Sequence, residues 1–374
     1  MKNLKVLLSG FIFFLPLFFS TAFCATLIDS TQVTGDDGEM TNGSMKNSFY
    51  FSVGGNCYIM ADDISNNAIS IYWSEHCNDD TTYEFKKRFR YSDIVPSGYR
   101  AWAPEVFHSF PGKPNRLLVF FSKVNMYSYT DPISTAQWNQ ILNNAKISYF
   151  WYDYTNGMDN GFIVGGIGGV QNVGISGGGN KGLIDSGVWR ANNRWYMCAA
   201  LHECYANGDV INWGSRLVWA SSTSTYPTGG FSLPSPLLDH NSRRVDKVKY
   251  YMNGQAYDIQ PGEISNVVEA PICSYWDHDG DGHQELYWSV GLSDPGCWQY
   301  SMVRRGNIYY NGIIPFIHVG DWWDDSFMDN YITPPSQLPG CHMLTHPDFT
   351  KNGELRATGW RNGHHVILNT DLYN

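Results

Sequence analysis

Four times along this chain an apolar strand runs into a polar turn and returns as a strand rich in aromatic residues. The copies are Ser48 to Met60 with a Gly54-Gly55-Asn56 turn, Ala103 to Ser122 with Pro111 to Asn115, Ile184 to Ala200 with Ala191 to Asn193, and Glu269 to Val290 with Asp277 to Gly282. A hairpin of this kind buries one face at most by itself, so the copies must pack against one another. A β-sandwich also offers many short strands. The copies differ from sandwich strands in opening on small or acidic residues just ahead of the apolar run, and in a propeller those positions line one central channel. Helical periodicity is confined to Ile133 to Lys146, and the remaining segments read as strands separated by Gly, Asn, Asp, Ser and Pro. The expectation is an all-β propeller.

The first 24 residues have the layout of a signal peptide, with Lys2 and Lys5 ahead of the apolar run from Val6 to Phe19. That run is shorter than the roughly 20 residues that span a bilayer. The reading is a secreted or periplasmic protein with residues 1-24 as signal and 25-374 as a single domain, free of the membrane after signal removal and acting as a monomer. The formal charge is −10, and the two lysines of the signal leave with it. An acidic surface repels phosphate, so nucleic acid is excluded as a partner. Neutral polysaccharide or oligosaccharide carries no such penalty, and 16% of residues are aromatic, although most of those rings belong in the core.

Export permits disulfides among the eight cysteines. Cys57 with Cys77, Cys198 with Cys204, and Cys273 with Cys297 are the local pairs, leaving Cys341 alone or with Cys24; connectivity stays open. No CxxC pattern for structural zinc is present. Asp277-His278-Asp279-Gly280-Asp281-Gly282-His283-Gln284-Glu285 alternates acids around a tight glycine turn and ends on a carboxylate. Asp277, Asp279, Asp281 and Glu285 are therefore candidate calcium ligands, against the plainer reading of an Asp-Gly hairpin turn. Gly165 to Gly182 is dense in glycine but lacks the lysine and the βαβ setting of a phosphate loop. No GxSxG elbow and no HExxH helix occur.

Three openings, Arg100-Ala101-Trp102-Ala103-Pro104-Glu105-Val106, Leu183-Ile184-Asp185-Ser186-Gly187-Val188-Trp189 and Val267-Val268-Glu269-Ala270-Pro271, resemble successive blade starts of glycoside hydrolase family 43. The resemblance extends over about residues 45 to 370. It implies a five-bladed β-propeller with three acids in its funnel: a base in the first blade, a tuning acid at Asp185 and the proton donor at Glu269. An inverting glycosidase needs one carboxylic acid for the leaving oxygen and one carboxylate to activate water, roughly 6.5 to 9.5 Å apart. A neighbouring carboxylate and an aromatic funnel would keep Glu269 protonated.

The family's first blade carries Asp-Pro where this chain has Asn47-Ser48, and an amide does not take a proton from water. Asp36 and Asp37 are the nearest upstream substitutes, with Asp62 and Asp63 further along. Asn47, Glu105 and His364 are candidate substrate contacts, and Trp102, Trp189 and Trp360 are candidate stacking platforms that serve equally well as blade packing. The resemblance implies hydrolysis of arabinose- or xylose-containing saccharides. Loss of the base would leave a non-catalytic carbohydrate-binding propeller, and a third reading is a calcium-stabilised surface protein with a vestigial funnel.

Overall fold

The computed structural model describes residues 26–28, 33–34, 45–74, 83–126, 135–207, 210–238, 248–252, 255–259, 267–274, 277, 280, 282–291, 301–318, 345–349, 353, 355–361 and 364–370, with some side chains inside those strands excepted. Among the described residues the chain forms five antiparallel sheets of four or five strands, apart from one short parallel pair, and a two-stranded ribbon of Val248–Met252 and Gln255–Ile259. The helix expected from periodicity spans Thr135–Asn143. No helix among the described residues is long and apolar enough to cross a membrane.

Each sheet begins with an inner strand: Met45–Val53, Tyr99–Phe107, Leu183–Ala191, Val267–Cys273 and Thr345–Phe349. In order, each inner strand touches the next, and the fifth returns to the first. That closed ring makes the fold an all-β propeller. The chain termini meet in the fifth sheet, where Thr26–Ile28 adds antiparallel to the outside of His364–Thr370. The N-terminal strand thus completes the sheet of the C-terminal strands.

The packing explains why the strands read as unbroken apolar runs. In Leu117–Phe121, Leu117, Val119 and Phe121 turn towards the first sheet and join Phe51, Ile69 and Phe89. Leu118 and Phe120 point the other way and join Val188, Met197 and Val218 of the third sheet. A strand with period two and both faces buried has no polar alternation to show. The next layer packs Trp189, Tyr196 and Leu217 of the third sheet on Cys273, Leu286 and Trp288 of the fourth. Each such buried side chain contributes about 1.5–3 kcal/mol, so sheet-to-sheet layers are the main source of stability. Turn chemistry follows the sequence: Gly54 and Gly55 have φ of 60° and 85°, and Asn192 and Asn193 have φ of 49° and 57°, the left-handed pairs that join twisted hairpins.

Two expected cysteine pairs are corrected. Cys198 and Cys204 lie on one strand, Arg194–Asn207, so six residues of extension hold them roughly 20 Å apart, far beyond disulfide reach. Cys198 and Cys273 carry free, buried thiols. Cys24, Cys77, Cys297 and Cys341 lie outside the described residues.

Candidate functional site

Every inner strand breaks register at the same place. The breaks fall between Lys46 and Phe49, Trp102 and Glu105, Ile184 and Ser186, Glu269 and Ile272, and Thr345 and Asp348. At each break one residue is left-handed: Asn47 (φ 53°), Ala103 (51°), Asp185 (50°), Ala270 (52°) and His346 (52°). Such a conformation costs a non-glycine residue about 1–3 kcal/mol and is borne best by Asn, Asp and His, which partly explains the residue types. A proline follows Ala103, Ala270 and His346, tolerated because a bulge needs no ladder N–H there.

A bond from the preceding sheet steadies three of these bulges. The Ala103 amide donates to Asp62 Oδ1 (3.1 Å), the Asp185 amide to Ser122 Oγ (2.7 Å) and the His346 amide to Ser289 Oγ (2.9 Å). Asp62, Ser122 and Ser289 share one register position, opposite Lys46, Trp102 and Glu269, the residues just ahead of each break. The bulges are thereby tied into the ring and hold their side chains at its axis.

The five bulges line one open cavity of about 330 Å³, measured out to bulk solvent. Asn47 and Ser48, Ala103 to Glu105, Asp185 and Ser186, Ala270 to Ile272, and His346 with Pro347 supply its wall. Asp185 Oδ2 stands 3.3 Å from His346 Nε2, and Asp185 Oδ1 accepts from Ser122 Oγ at 3.3 Å. Asn47 Nδ2 donates to Asp62 Oδ2 at 2.7 Å. Glu105 is 4% exposed, and its Oε1 accepts the Val188 amide at 2.8 Å. Burial pushes the Glu105 carboxyl well above the usual carboxylate range, against a smaller opposing effect of the Val188 amide.

The expected site residues divide accordingly. Asn47, Glu105 and Asp185 come together in the cavity. Glu269 is half-buried one residue ahead of the cavity-lining Ala270 and is not itself among the lining residues. Asp62 and Asp63 are buried behind the wall; Asp63 binds Ser70, Tyr72 and Arg88, and neither is placed to activate water. Asp36 and Asp37 lie outside the described residues.

Several expectations are corrected. Trp189 is fully buried, stacks on Tyr196 (5.4 Å, 15°) and donates Nε1–H to the Tyr310 hydroxyl at 2.8 Å; a ring with no exposed face is no sugar platform. Trp102 is half-buried and packs against the core shared by the third and fourth sheets. The histidine at the cavity is His346, whereas His364 pairs with Arg361 on a later strand of the fifth sheet. His346-Pro347 shares the residue-plus-proline format of Ala103-Pro104 and Ala270-Pro271, the one signal that points to it in the sequence.

Of the four candidate calcium ligands, Asp277 and Glu285 lie among the described residues. Both Glu285 oxygens are engaged in the core, Oε1 with Arg305 (3.0 Å) and Oε2 with the Tyr287 hydroxyl (2.7 Å), so this residue does not fit a ligand role. Asp277 is exposed and accepts the Gly282 amide at 2.8 Å, a turn-closing bond. Asp279 and Asp281 lie outside the described residues. No group of three metal-capable side chains occurs among the described residues.

No family model and no curated protein matches this chain. Among solved structures it is similar to an α-L-arabinofuranosidase from Lactobacillus brevis, with a TM-score of 0.50 and 12% identity over 88% of this chain and 92% of that one. It is also similar to a GH43_1 enzyme from Xanthomonas citri complexed with xylose, with a TM-score of 0.50 and 10% identity over 93% of this chain and 89% of that one. At these identities the likeness establishes the fold, and the chemistry must be argued from the cavity.

Proposed function

We propose that this is an exported, five-bladed propeller glycosidase acting on arabinose- or xylose-containing saccharides. The five sheets and their five equivalent bulges support the blade count, and the layout of residues 1-24 supports export. The observation that carries the function is the axial cavity itself, where Asp185, Glu105, Asn47 and His346 converge from four separate strands. Polar side chains converging from separate elements on one open cleft are the usual form of a small-ligand site.

In this reading Glu269 protonates the leaving oxygen from its place beside Ala270, and Asp185 orients the sugar and Glu269. Inversion then requires a carboxylate to activate water on the opposite face. Asn47 stands in the first strand at the position equivalent to Asp185, and its amide does not serve. Turnover by inversion would therefore need a base from elsewhere in the chain, for which Asp36 and Asp37 are the nearest upstream candidates. Calcium bound by Asp277, Asp279 and Asp281 is a structural proposal only, and no step passes through it.

Asn47 also favours a second reading, a propeller that binds saccharide without cleaving it. Aryl-arabinofuranosides, aryl-xylosides and linear arabinan, offered to the mature protein and to Glu269→Gln, decide between them. The expected result is turnover that Glu269→Gln lowers by about 10²-fold or more. Sugar binding without any turnover would replace the enzyme with the binder.

A further inference from the structure

Three lysines stand side by side where the second sheet meets the third. Lys123, on the strand Arg116–Asn125, is the register partner of Lys146, on Lys146–Asp153. The segment ahead of the third inner strand then runs beside Lys146. Asn180 Oδ1 accepts the Ile147 amide at 2.8 Å, Asn180 Nδ2 donates to the Ile147 carbonyl at 2.8 Å, and the Gly182 amide donates to the Ala145 carbonyl at 2.9 Å. Lys181 lies between those two anchors, level with Lys146. Asn180 is buried, so the alignment is built into the fold.

Like charges set directly opposite one another on neighbouring strands are destabilising. None of the three lysines is in an ion pair with a carboxylate among the described residues. Lys123 donates instead to a neutral acceptor, Asn172 Oδ1, at 2.6 Å, and that oxygen also takes the Ser148 hydroxyl at 3.0 Å. Burial, and after it Lys146, pushes the Lys123 ammonium below its usual range, with no carboxylate acting the other way. In a chain with a formal charge of −10, such a cationic row is a local reversal of sign, and its field draws an anion to this one place.

We propose that Lys123, Lys146 and Lys181 hold the carboxylate of a uronic-acid residue in a saccharide whose neutral part occupies the axial cavity. This rests on the reading of the cavity as a saccharide site and names the class of saccharide, one with acidic branches. Chain connectivity sets the row beside the cavity: Lys123 directly follows Ser122, whose hydroxyl holds Asp185, and Lys181 is four residues ahead of Asp185. A polyanion such as nucleic acid would meet the acidity of the rest of the surface. A lone carboxylate on an otherwise neutral saccharide meets only the lysines, whose ammoniums are point charges on flexible stems and can follow a group that turns on its sugar.

The test is calorimetric binding, by the mature protein, of xylotriose and of the same trisaccharide carrying one glucuronic-acid branch, at about 20 mM and about 200 mM NaCl. The wild type should bind the acidic sugar about tenfold more tightly than the neutral one at low salt, and less than about threefold more tightly at the higher salt. Lys123→Met combined with Lys146→Met should bring the ratio of the two affinities to about one at both salts. Because the double variant relieves opposed charges, it should unfold at a temperature no lower than the wild type. Lys181→Met, at an exposed position, should lower the ratio about twofold and keeps the test open if the double variant does not fold. Equal affinity for the two sugars in the wild type, or a preference that survives in the double variant, would overturn the site. Tighter binding of the trisaccharide bearing a sulfate ester in place of the uronic acid would overturn the carboxylate assignment. If free D-glucuronate binds in a lysine-dependent way and xylotriose does not bind, the cavity reading fails and the lysine site stands. If xylotriose binds and is cleaved with no gain from the branch, the reverse holds.

Discussion

Ser122 donates to Asp185 Oδ1 and accepts the Asp185 amide, so one hydroxyl in the second sheet fixes both the backbone and the side chain of a residue in the third. Ser122→Ala leaves that buried amide without its acceptor and should lower unfolding stability by about 1–3 kcal/mol, read from urea denaturation. The exposed Ser92→Ala should change it by less than about 0.5 kcal/mol, and equal effects from the two would refute the tie. At this scale the sequence is informative where a residue type is unusual for a strand: Asp185 and Asn47 stood out before any fold was known. It is uninformative where the answer depends on which face a side chain takes. Trp189 and Trp102 flank bulges of the same ring, yet Trp189 is entirely enclosed against Tyr196 and Tyr310, and nothing in the local motif distinguishes it from a sugar platform. His346 gives little signal because its strand is short and polar, whereas His364, the candidate substrate contact, lies on a later strand of the same sheet.

The inner strands approach one another more closely than side chains allow. A Cβ on Gly187 would stand 2.3 Å from the Pro271 carbonyl oxygen of the fourth sheet, and backbone does not give way as a side-chain tip would. Gly187→Ala should therefore destabilise by at least the roughly 1–3 kcal/mol of an overpacked core. Gly112→Ala has open space around it and a φ of +74°, so it should cost only about 1 kcal/mol. Thermal unfolding of both variants checks the contrast, and comparable losses would show that the third and fourth sheets are not in this contact. Four of the five inner strands were legible because each leads a long apolar hairpin. The fifth hairpin, Thr345–Phe349 with Leu355–Arg361, was not, since its inner strand has five residues, includes His-Pro-Asp and precedes a strand of mixed polarity.

Around the whole ring, local structure and function are coupled by one device: a bulge repeated in every inner strand turns five separate segments into one axial cavity. The propeller was legible because stacked hairpins have few other ways to bury two faces, and the ring closure by Thr26–Ile28 was not, because a three-residue strand has no pattern to read. The site was legible only in part, since the repeat identifies where residues converge but not which of them are tied up in the wall. The most direct test of the account is a crystal structure of the mature protein with a linear arabino- or xylo-trisaccharide. The account predicts a sugar ring in the axial cavity, within hydrogen-bond distance of Asp185 and with Glu269 beside its glycosidic oxygen. A cavity holding only water, with the saccharide elsewhere on the surface or absent at saturating concentration, would contradict it.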